Sequence, residues 1–153
     1  MPYQSRLGAV FFQRKNNEEL ALQELAQQQN RLTIEQECLQ SLEKKMQVTL
    51  EDLVVRQSEG GGAYELTLYF RFIMALQEKV DLQKKAIHHQ EAVCEAKRVL
   101  LETAVKERKA VEEIEKKREA EYLKVQAKRE QDELDEIGGQ LKFRSFHVGL
   151  REQ

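Results

Sequence analysis

Three histidines, two cysteines and a run of three glycines are the residues of this chain whose types could carry chemistry. His88 and His89 are neighbours in a stretch patterned as a helix. Successive side chains there diverge by about 100°, so the two cannot bind one metal ion together. His88 with Glu91 or Glu95 leaves a weak helical metal pair, against which stands the plainer reading of a surface histidine. Cys38 and Cys94 have no second thiol or histidine at ligand spacing. They read as small apolar residues at or near a helix seam, in a reducing compartment. No serine or cysteine has a candidate base at a spacing suited to nucleophilic attack. Gly60-Gly61-Gly62 lacks the Lys and Ser/Thr of a phosphate-binding loop and reads as a turn. These residues predict no enzyme, no cofactor and no metal site.

The composition explains why chemistry is scarce. Of 153 residues, 34% are charged and 41% hydrophobic, with one proline, no tryptophan and a mean hydropathy of −0.68. A chain rich in Ala, Glu, Lys, Leu, Gln and Arg, with few helix breakers, is what long solvated helices and coiled coils are made of. The net charge is −2 and the two signs are interleaved, so no field exists that would draw in nucleic acid or anionic lipid. No apolar stretch approaches the length of a membrane span, and the N-terminus lacks the pattern of a signal peptide. The expectation is a soluble cytoplasmic protein without nucleic-acid partners or a direct membrane span.

Two places interrupt the helical patterning: Gly60–Gly62 and Gly138-Gly139. They predict an all-α fold, a long two-helix antiparallel coiled-coil hairpin over 1–139. Helix one covers about 5–57, with Gly8 able to delay its start. The turn lies at 58–63, and helix two covers about 64–137 and overhangs helix one. Residues 140–153 form a flexible, mildly basic tail with Lys142, Arg144 and Arg151.

The heptads supply a register. Leu25, Leu32, Leu39, Met46 and Leu53 recur every seven residues in helix one, and Leu22, Gln29, Gln36, Glu43 and Leu50 are read as the companion row. In helix two the rows are Leu66, Ile73, Val80, Ile87, Cys94 and Leu101, then Tyr69, Leu76, Gln83, Gln90, Lys97 and Ala104. If paired residue numbers total 119, Leu53 meets Leu66, Leu39 meets Val80 and Leu25 meets Cys94. Gln36 then meets Gln83, Gln29 meets Gln90, and Leu76 lies opposite Glu43. Polar layers of this kind either fix the register or are simply solvated. Beyond Leu101 the seam decays, with Arg108, Glu115 and Arg129 in its positions. Arg108 is set opposite Phe11, and the part of helix two bearing Val111, Ile114, Tyr122, Leu123 and Val125 is expected to be nearly bare. Glu102/Lys106, Glu112/Lys116 and Glu113/Lys117 support it at i,i+4.

Tyr64, Tyr69, Phe70 and Phe72 crowd the start of helix two, and only Tyr69 falls on the seam. The rest either offer a partner surface or pack back over the turn and onto Val54 and Val55. At the other end Tyr3, Leu7, Val10 and Phe11 form an apolar stripe that caps the hairpin or enters a socket in another protein.

Five segments together resemble the FliJ family of flagellar type III export proteins. The opening Tyr3-Gln4-Ser5-Arg6-Leu7-Gly8-Ala9-Val10-Phe11-Phe12-Gln13-Arg14 is similar to the family's aromatic–Arg–Leu–x–x–Val–x–x–x–Arg start. Tyr69-Phe70-Arg71-Phe72-Ile73-Met74-Ala75-Leu76 is similar to its stretch after the turn. Glu107-Arg108-Lys109, Lys117-Arg118-Glu119-Ala120-Glu121-Tyr122 and Leu134-Asp135-Glu136-Ile137 follow the family's run towards its end. The resemblance spans essentially the whole chain, and the order of the motifs makes it specific.

That resemblance implies a non-enzymatic stalk similar to the γ subunit of rotary ATP synthases. Its terminal end would enter the hexameric flagellar export ATPase through Arg6, Leu7, Val10, Arg14, Tyr122, Asp135 and Glu136. Phe70, Phe72 and Leu76 would face the export gate protein, although the register above buries Leu76. Export chaperones are further implied partners, at the inner membrane of the flagellar base. The alternatives are the equivalent stalk of an injectisome and a free-standing dimerising scaffold. A stalk is expected to be monomeric by itself, and a scaffold to double its mass at micromolar concentration.

Overall fold

The computed structural model describes residues 2–151, the last two by backbone alone. It contains two helices, α1 (Gly8–Ser58) and α2 (Ala63–Arg151), and the architecture is an all-α two-helix hairpin. Strong helix formers fill both elements, and the single proline, Pro2, precedes them. The chain divides into two compact units, Lys15–Val105 and Met1–Arg14 with Lys106–Gln153.

Within the unit Lys15–Val105, α1 stops on a hydrogen-bonded glycine cap. Gly60 takes a φ of 77°, its N–H donates to the Gln57 carbonyl at 3.3 Å, and the Gly61 N–H donates to the Arg56 carbonyl at 2.8 Å. This is the Schellman arrangement, which satisfies carbonyls that the helix end leaves without partners. The chain then re-enters a helix at Ala63, where the Leu66 N–H donates to the Gly62 carbonyl. Arg56 reaches across the turn to Glu65 at 3.5 Å. A hydrogen bond to Tyr69, and then the Glu65 carboxylate, raise its pKa further above the ordinary guanidinium value.

The seam of this unit corrects one predicted row. Leu25, Leu32, Leu39, Met46 and Leu53 face inward, as do both predicted rows of α2. The companion row of α1 is Ala21, Gln28, Glu35, Leu42 and Thr49, while Leu22, Gln29, Gln36, Glu43 and Leu50 are exposed. A heptad seam alternates steps of three and four, and stepping back three from the leucine row selects the outer side. The apolar character of Leu22 and Leu50 hides the difference, since the true row carries polar residues at three of its five positions.

The polar layers shift accordingly. Gln83 donates its amide to the Glu35 backbone carbonyl at 2.9 Å and to the Glu35 carboxylate. Gln90 donates to the Gln28 carbonyl at 3.0 Å and to the Gln28 side-chain oxygen at 2.8 Å. The glutamines are therefore not simply solvated: half-buried, they bind the facing helix. Their partners sit one residue from the predicted Gln36 and Gln29. One heptad further, Leu76 comes opposite Leu42 rather than Glu43. Leu76 (2% exposed), Val80 and Cys94 form the driest part of the seam, and Cys38 is exposed.

In the unit formed by Met1–Arg14 and Lys106–Gln153, the N-terminal segment covers more of α2 than its heptads predicted. Residues 2–5 have no regular secondary structure, and Ser5 Oγ accepts the Leu7 N–H at 3.1 Å just before α1 begins. Tyr3 stacks against Tyr122 with ring centroids 5.5 Å apart, and its hydroxyl donates to Glu115 at 3.3 Å. Tyr122 is thus half-buried instead of bare, as is Val111, while Ile114, Leu123 and Val125 are exposed as expected. The reason is reach: outside a helix a residue can advance up to about 3.3 Å against about 1.5 Å within one, so the segment ahead of α1 covers more of α2 than helical residues would.

α2 does not end at Ile137. It continues through Gly138 and Gly139 to Arg151, so the flexible tail predicted over 140–153 is helical over 140–151, and 152–153 lie outside the described residues. Each glycine disfavours helix by about 1 kcal/mol relative to alanine, but with no proline following there is no steric stop.

Candidate partner-binding surfaces

At the start of α2, three aromatic side chains stay in solvent: Tyr64 is 79% exposed, Phe70 51% and Phe72 46%. Val54 and Val55 are exposed too, so packing back over the turn does not bury this group. Leu76 is on the same helix but in the seam. Leu76 is 2% exposed, so of the three expected gate contacts only Phe70 and Phe72 are accessible while the helices are paired.

In the unit holding the N-terminal segment, Arg6 is exposed, Val10 is 37% exposed and Leu7 is half-buried. Arg14 pairs with Glu107 at 2.8 Å, an exposed bridge of modest energy that orients the guanidinium. On α2, Tyr122 lies beneath Tyr3, whereas Asp135 and Glu136 are exposed, with Asp135 accepting a hydrogen bond from Gln131 at 3.1 Å. The structure joins the N-terminal residues to Tyr122 through Tyr3. Asp135 and Glu136 stand further along the helix.

Tyr3 and Glu115 are the residues that the sequence-predicted set lacks. Tyr3 had a legible signal, its place one helical step before Leu7 on an apolar stripe. Glu115 had none, because a carboxylate in a seam position reads as the seam's decay. Its Oε2 accepts the Tyr3 hydroxyl, and its Oε1 is buried without a hydrogen-bond partner. Burial first, and then the Glu115 carboxylate, raise the Tyr3 pKa above its ordinary 10.0. A raised folded-state value means that folding favours the protonated phenol. The resulting stabilisation is complete below the unfolded pKa and is lost as pH rises through the folded one. Tyr3→Phe is expected to remove one contribution to the stability loss above pH ~10, making that loss shallower than in the native chain, in urea titrations across that range. An unchanged profile would refute the contact.

Among the described residues, no group of His, Cys, Asp and Glu side chains could hold a metal ion, and no helix is long and apolar enough to cross a membrane. What the chain offers is two helices in register and side chains displayed along them. That defines an all-α coiled-coil hairpin. A family model described as Flagellar FliJ protein matches residues 3–145, and the chain belongs to the FliJ family. No curated protein and no solved structure matches it. Membership makes it an export-related flagellar protein.

Proposed function

We propose that the chain is the stalk subunit of the flagellar type III export apparatus, without catalytic activity of its own. The unit bearing the N-terminal segment inserts into the hexameric export ATPase, using Arg6, Leu7, Val10, Arg14, Tyr122, Asp135 and Glu136. Phe70 and Phe72 meet the export gate protein, and export chaperones bind along the helices. The protein works in the cytoplasm, peripheral to the inner membrane at the flagellar base.

The family match over 3–145 carries this reading. The physical features agree with it. Coiled-coil helices are stiff, and they transmit position between partners without chemistry of their own. The exposed aromatics at the start of α2 are the residue type that dominates protein interfaces.

The test is capture from an extract of flagellated cells with the full chain as bait. Recovery of a hexameric rotary-type ATPase is expected. Combined Arg6→Ala and Arg14→Ala should reduce it about tenfold or more, and Phe70→Ala with Phe72→Ala should leave it intact while removing the gate protein. Failure to recover any such ATPase would sink the proposal.

A further inference from the structure

Tyr3 lies over a row of α2 that runs from Glu115 to Tyr122, with its hydroxyl on the first and its ring on the second. At about 100° per residue, Arg118 projects to one side of that row, and Glu112, Lys116 and Glu119 project to the other. The N-terminal segment thereby separates two cavities of different charge. One, of about 270 Å³, is lined by Tyr3, Gln4, Arg6 and Arg118 and has no carboxylate in its walls. The other, also about 270 Å³, lies by Ser5 and Phe11 and takes its charge from Glu112, Glu115, Glu119 and Lys116. Arg14 and Arg108, in the same unit, are paired with Glu107 and Glu112. Arg6 and Arg118 form no such ion pair among the described residues, and both are exposed.

We infer that the cavity between Arg6 and Arg118 is a binding site for a carboxylate side chain carried by an acidic peptide segment of a partner. Two guanidiniums on one cavity repel each other until an anion lies between them, and a planar carboxylate matches the guanidinium fork. Charge selects a monoanion. Glu115 beneath Tyr3 and Glu119 beyond it act on the same spot, and their field penalises a phosphate dianion more than a single carboxylate. Space selects a side chain on a peptide. The basic cavity shares Tyr3, Gln4 and Arg6 with a larger one of about 560 Å³ that extends to Tyr122, which leaves room for the residues flanking the carboxylate.

Arg6 and Tyr122 also belong to the surface proposed for the export ATPase. The identity of the partner rests on that reading, whereas the site itself does not and is tested without the ATPase. What it adds is Arg118, the role of Tyr3 in holding Arg6 in place, and the charge that the partner must bring.

The test is a titration of the isotope-labelled full chain at low salt with acetylated, amidated tetraglutamate, following the arginine Nε–H signals by NMR. Arg6 and Arg118 are expected to move on one curve with a Kd on the order of 1 mM. Arg31 and Arg71, exposed in the other unit, should move little. Glutarate and inorganic phosphate should need about tenfold higher concentrations. Arg118→Gln, a change at an exposed helical position, should abolish the Arg6 response. Tyr3→Ala should abolish it too, by releasing the segment that carries Arg6, with helicity of both variants checked by circular dichroism. An Arg6 response that survives Arg118→Gln overturns the inference, and so do equal shifts at all four arginines. Binding of glutarate or phosphate as tight as the peptide's would mark an adventitious anion only and overturn it as well. No peptide response, with the ATPase still captured by the native chain, overturns the site and leaves the stalk reading standing.

Discussion

Leu76→Ala is expected to destabilise the helical pair by about 2–4 kcal/mol, the usual result of emptying a well-packed core position. Leu76 is 2% exposed, the most deeply buried apolar side chain described, and the register brings it opposite Leu42. Truncation removes its apolar area and leaves a gap that two helices, with no third layer behind them, can close only by moving together. Leu50→Ala is the matched comparison. Leu50 is a leucine of similar heptad appearance, but it is 44% exposed, and its truncation is expected to cost under about 1 kcal/mol. Urea unfolding of both variants, followed by helical circular dichroism, separates the rows. Equal losses at the two positions would mean that the companion row of α1 is the one carrying Leu22 and Leu50 after all. The same experiment weighs the proposed gate surface, since a seam residue and a contact residue respond differently. Phe72→Ala should leave the midpoint almost unmoved.

Gly60→Val should have the second largest effect, about 2 kcal/mol or more. With φ at 77°, Gly60 occupies the left-handed region, where a β-carbon crowds the backbone, and a β-branched side chain adds to the crowding. To escape, the substituted residue must abandon the cap, releasing the Gly61 N–H from the Arg56 carbonyl and letting the turn reorganise. Gly61 is also constrained, since a β-carbon there would lie 3.0 Å from the Arg56 carbonyl oxygen. Gly62 is neither left-handed nor crowded, so Gly62→Ala should be neutral or slightly stabilising, by up to about 1 kcal/mol through the unfolded chain. Thermal unfolding of the two variants side by side tests this, and similar midpoints for both would disprove the cap.

The sequence by itself determined the all-α class, the place of the turn and one apolar row on each helix. Those features rest on local rules. Seven-residue periodicity needs no partner to be seen, so Leu25, Leu32, Leu39, Met46 and Leu53 are legible by themselves, and Gly60–Gly62 marks the turn. The aromatics at the start of α2 were legible as exposed for the same reason, once their positions fell off that period.

Tertiary structure decided which neighbouring row completes the seam. Glu35 and Gln28 lie inward because Gln83 and Gln90 on the facing helix hydrogen-bond to them, an arrangement that hydrophobicity along a single strand of sequence opposes. It decided the reach of the N-terminal segment, since Tyr3 finds Glu115 and Tyr122 through contacts more than a hundred residues apart in sequence. That Gly138-Gly139 stays helical has a local reason too, since propensity discourages a helix there and does not forbid it. A histidine pair and two cysteines, the residues that promised chemistry first, proved to be surface and seam. What this chain recognises is governed by which side of each helix its partner leaves open, and that is fixed only when the two helices meet.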